Sequence, residues 1–76
     1  MGIQTKFTRN ICHRHAANTI KFITSSGESA EVCVITADKY NLFKLASEVE
    51  ATKSPEAEKK FIEVVRFIDY LDSYLV

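Results

Sequence analysis

The hydrophobic period of this chain changes once, near residue 36, and that single change restricts what it can fold into. Before that point apolar residues recur every second position, the spacing of a half-buried strand. Ile3, Thr5, Phe7, Arg9 and Ile11 alternate with Gln4, Lys6, Thr8 and Asn10. A second run follows over Asn18 to Thr24, with Ile20 and Phe22 pointing one way. Ser25-Ser26-Gly27-Glu28 reads as a turn, its glycine free to take positive φ, and Glu31 to Thr36 returns at hairpin distance.

After the change the spacing becomes helical. Leu42, Leu45, Ala46 and Val49 follow the i, i+3, i+4, i+7 rule, and Thr36 or Asp38 is placed to cap the first turn. Ser54-Pro55-Glu56 announces a second helix with a capping serine, proline at the first helical position and an acid at the positive dipole end. Nothing interrupts it from Pro55 to about Tyr74. The expected architecture is α+β over one domain, residues 1–76. It comprises a small antiparallel β-sheet of two to three N-terminal strands, followed by two α-helices packed on one face.

Seventy-six residues build a core worth only about 3–5 kcal/mol beyond its costs, so a chain of this size gains from a staple or from a second copy of itself. Two cysteines, Cys12 and Cys33, allow at most one bridge, fewer than secreted mini-domains carry. No signal segment opens the chain and no apolar run approaches the roughly 18 residues that span a membrane. The expectation is a cytoplasmic, reducing setting with no membrane association.

The last helix holds the residues most suggestive of function. Phe61, Val64, Val65, Ile68, Leu71 and Leu75 form a stripe broad enough to dock on a sheet. Phe67, Tyr70 and Tyr74 form a separate aromatic flank beside it, the residue types enriched in protein interfaces. Asp69 and Asp72 lie near the helix C-terminus, where carbonyl dipoles disfavour acids unless a cation is near. The five residues Phe67, Asp69, Tyr70, Asp72 and Tyr74 are the candidate protein-binding set.

Charge is balanced overall but segregated. Residues 1–26 carry Lys6, Arg9, Arg14 and Lys21 without an acid, whereas residues 27–76 carry six bases and ten acids. The basic segment, with Phe7 and Phe22 as stacking aromatics, is the basis of an alternative reading as a small nucleic-acid-binding module. Four bases are few for that role, and a pI near 6.7 is far from basic.

Cys12, His13, His15 and Cys33 are of zinc-ligand type, but the paired clusters of structural zinc sites are missing and Cys33 sits in an apolar run. No metal or cofactor is expected. A Cys12 nucleophile would need an orienting acid, and the first 27 residues hold none, so no catalytic residue is assigned. The expectation is a small non-enzymatic accessory or inhibitory protein with a protein partner, itself a homo-oligomer. Its size suits a virus- or plasmid-encoded modulator of a host factor.

Overall fold

A computed structural model describes the backbone over residues 2–12 and 17–75, and side chains over residues 2–8 and 17–74. Three strands, β1 (Ile3–Cys12), β2 (Ala17–Thr24) and β3 (Ser29–Cys33), form an antiparallel sheet in the order β1-β2-β3. Three helices follow: α1 (Val34–Lys39), α2 (Leu42–Thr52) and α3 (Pro55–Leu75). The α+β reading, with an N-terminal antiparallel sheet followed by helices, holds. The strand-to-helix junction and the number of helices differ from expectation.

Register explains which side chains reach the core. Thr5 lies opposite Phe22 and Phe22 opposite Ala30, while Phe7 lies opposite Ile20 and Ile20 opposite Val32. Residues opposite one another share a face, so this side of the sheet carries Ile20, Phe22, Ala30 and Val32 toward the helices. There they meet Ala37, Leu42 and Ala46 of α1 and α2 and Phe61, Ile62 and Val65 of α3. Phe22 packs edge-on against Phe61 with ring centroids 5.2 Å apart. The pairing of β1 with β2 shifts register between Phe7 and Ile11, so the simple alternation expected through Ile11 is interrupted.

The hairpin turn is built as its residues suggest. Gly27 has φ 91°, and the Thr24 hydroxyl accepts the Glu28 N–H at 3.2 Å. Strand β3, expected to run through Thr36, stops at Cys33, and Val34-Ile35-Thr36 opens α1 instead. Those residues are β-branched and favour strand locally, but burial of Thr36 and Ala37 against the rest of the core overrides that preference. Neither Thr36 nor Asp38 is therefore a cap: Thr36 lies within α1, and the N-caps of α1 and α2 are Cys33 and Asn41, without side-chain capping bonds. Ser54 does cap α3, its hydroxyl accepting the Ala57 N–H at 3.3 Å.

Cys33 is buried and disulfide-bonded, and the sequence holds one other cysteine, Cys12. The burial of Cys33 agrees with its place in an apolar run. No helix among the described residues is long and apolar enough to cross a membrane.

Candidate protein-binding face

Helix α3 is 21 residues long, about 31 Å at the usual rise, against a longest molecular extent of 34 Å. It packs on β3 and β2, and two buried acids hold it at its ends. In the first turn, Glu58 Oε1 accepts both the backbone N–H of Ser25 at 3.2 Å and its hydroxyl at 3.0 Å. In the last turns, Asp72 Oδ2 accepts the Thr36 hydroxyl at 2.8 Å. Arg66 adds a bond from its guanidinium to the Ser29 carbonyl at 2.9 Å.

These anchors turn Phe61, Ile62 and Val65 inward and leave a second apolar row outside. Phe67 is 61% exposed and Tyr74 72%, with Tyr70 between them also in solvent. Val64 and Leu71, expected in the core stripe, are exposed as well. At about 100° per residue, Val64, Phe67, Leu71 and Tyr74 fall within an arc of roughly 80° facing away from the core. Their spacing of three, four and three was readable in the sequence as a row of its own, but the core stripe had already claimed Val64 and Leu71. Three aromatics of 150–250 Å² each at these exposures leave on the order of 400 Å² of ring surface in solvent, comparable to the largest apolar patch of a typical monomer.

Tyr70 and Tyr74 are one turn apart and touch. Their ring centroids are 4.9 Å apart, and the Tyr70 hydroxyl donates to that of Tyr74 at 3.1 Å. That hydrogen bond, with partial desolvation as the smaller cause, raises the Tyr70 phenol above its ordinary value of 10.0.

The two aspartates do not join this face. Asp72 is 2% exposed and turned toward α1, because the Thr36 hydroxyl offers its carboxylate a partner inside the fold. Asp69 is half-buried and is not free. The exposed set is therefore Val64, Phe67, Tyr70, Leu71 and Tyr74.

The alternative basic platform is divided by the sheet. Lys6 lies directly opposite Lys21, and Lys21 opposite Glu31, so an acid completes the row. Phe7 is 67% exposed but belongs to the other face, and Phe22 is buried in the core. Base and aromatic do not share a surface, as stacking on a single strand requires. The side chains of Arg9 and Arg14 lie outside the described residues.

Of the zinc-type residues, Cys33 has its sulfur committed to the disulfide, while His13 and His15 are outside the described residues. No group of three or more His, Cys, Asp or Glu able to hold a metal occurs among the described residues. A surface cleft of about 400 Å³ lies between Gly2, Ile3, Gln4, Thr24, Ser25 and Glu50. Comparison with family models, with curated proteins and with solved structures found no match to this chain.

Proposed function

We propose that this chain is a non-enzymatic protein-binding domain of accessory or inhibitory type, and that its contact surface is the outward face of α3. The supporting observation is the row Val64, Phe67, Leu71 and Tyr74, flanked by Tyr70, left in solvent on a helix that is anchored from its opposite side. Tyrosine and phenylalanine give large contact areas at low entropic cost, and the phenolic hydroxyls tolerate water when the surface is unoccupied. A preformed helix face needs little ordering on binding, so more of its apolar burial appears as affinity. Cys33 weighs on the setting: a disulfide persists in oxidising compartments, which argues against the reducing cytoplasm expected from the cysteine count.

The test is site-directed photo-crosslinking in cells, with a benzophenone amino acid at position 67 and, as the control, at exposed position 44 on α2. The reading expects a protein adduct from position 67 that is lost when Tyr74→Glu is added, and none from position 44. Equal adducts at both positions, or none at position 67, would sink it.

A further inference from the structure

We infer that the occupant of this face is α3 of a second copy, packed antiparallel about Phe67; the inference rests on the reading of α3 as a protein-binding surface. The 3-4-3 spacing of Val64, Phe67, Leu71 and Tyr74 is the a/d pattern of a two-helix seam, in which side chains of one helix enter gaps on the other. All four are exposed, and none of the five positions of the face bears a charge.

Charge placement selects the orientation. Lys60 continues the seam one turn before Val64, and Glu63 borders it on the Tyr70 side. A parallel pair would set Lys60 against Lys60 and Glu63 against Glu63. Turning one helix around Phe67 sets Lys60 of each copy against Tyr74 of the other. There the ammonium meets an aromatic face and the partial negative charge of the partner's helix C-terminus. The same turn sets Glu63 beside the hydroxyls of Tyr70 and Tyr74. Because Tyr70 donates to Tyr74, the Tyr74 proton remains available to a carboxylate.

The extent of the face fits a stable pair. With Val64 and Leu71 added to the aromatics, each copy exposes on the order of 600 Å², so full burial in a pair removes about 1,200 Å², the lower bound of specific interfaces. The resulting contact is isologous, so it closes at two copies and does not propagate.

Sedimentation and light scattering over a concentration series test the stoichiometry. The expected result is twice the 8.6 kDa chain mass, shifted to monomer by Phe67→Glu. Lys60→Glu, at an exposed position with no part in the core, is expected to weaken the pair roughly tenfold and guards against misfolding of the first variant. Orientation is read with a short bismaleimide on Lys60→Cys and Tyr74→Cys proteins. The mixture should cross-link and Tyr74→Cys alone should not. Self-cross-linking by Tyr74→Cys alone would overturn the antiparallel arrangement. A wild-type monomer at every concentration overturns the second copy as occupant. If position 67 of that monomer still photo-crosslinks to a different protein, the protein-binding reading stands. A dimer indifferent to both Phe67→Glu and Lys60→Glu would overturn α3 as its seam, and the protein-binding reading would then fall only if position 67 gave no photo-crosslink.

Discussion

Thr36 on α1 donates a 2.8 Å hydrogen bond to Asp72 on α3, and both side chains are buried. This bond draws the last turns of α3 toward the short helix that closes the sheet. Removing one partner of a buried hydrogen bond costs about 1–3 kcal/mol. Thr36→Val, which keeps shape and removes the donor, is expected to lower unfolding free energy by that amount. Urea denaturation would measure it, with Thr36→Ser retaining most of the wild-type value.

Glu58 ties the hairpin turn to the other end of α3 through Ser25. Its second oxygen has no partner among the described residues, so the anchoring role falls on Oε1. Glu58→Ala is expected to cost about 2 kcal/mol, since it leaves a backbone donor and a hydroxyl unpaired. Glu58→Gln preserves the acceptor and should cost less. Hydrogen exchange at the Ser25 amide gives a local readout: it should speed up in Glu58→Ala and stay slow in Glu58→Gln.

Reduction of the disulfide at Cys33 should destabilise the fold without redirecting it. With Cys12 as the partner the closed loop is about 20 residues, for which loop-entropy arguments give about 3 kcal/mol. In a chain of this size that corresponds to a fall in Tm of at least about 10 °C. Thermal melts with and without a phosphine reductant would show it. An unchanged Tm would mean that the bond contributes nothing in solution.

The Tyr70 phenol titrates above its ordinary value because its protonated form donates to Tyr74. The sign follows from which form the fold favours. The neutral phenol is favoured, so its contribution is fully present below the unfolded value of 10.0 and is lost as pH rises through the raised folded value. Ultraviolet difference titration should show Tyr70 ionising late, and Tyr74→Phe should return it toward 10.0.

Lys53 ends α2 in the left-handed region, at φ 54°. Glycine takes that conformation without a Cβ penalty. Lys53→Gly is expected to stabilise the fold by about 0.5–1 kcal/mol, visible as a higher urea midpoint at unchanged slope.

Local signals in the sequence translated well. Gly27 marked the hairpin turn, and Ser54-Pro55 marked the start of α3, because both depend on residues within a few positions. The strand-to-helix junction after Cys33 was hidden, since Val34, Ile35 and Thr36 each favour strand and only distant packing overrules them. Asp72 was misplaced on the surface for the same reason: its partner lies 36 residues earlier, beyond what helical periodicity reports. Phe67, Tyr70 and Tyr74 read in the sequence as a flank separate from the core stripe, and in the fold all three are exposed. The error over Val64 and Leu71 arose because a helix with apolar residues on two sides offers two stripes, and periodicity alone does not say which one the sheet receives.

The same ambiguity is physical. A helix that is greasy on both sides could settle on the sheet in either of two rotational settings, and hydrophobicity is nearly indifferent between them. Glu58 and Asp72 are 14 residues apart, about four turns, and project within roughly 40° of each other along the buried side. They act as two teeth of a key. Rolling α3 over to bury Phe67 and Tyr74 would pull Glu58 off Ser25 and Asp72 off Thr36, stranding the donors of both partners. Polar groups thereby decide a choice that the apolar ones leave open.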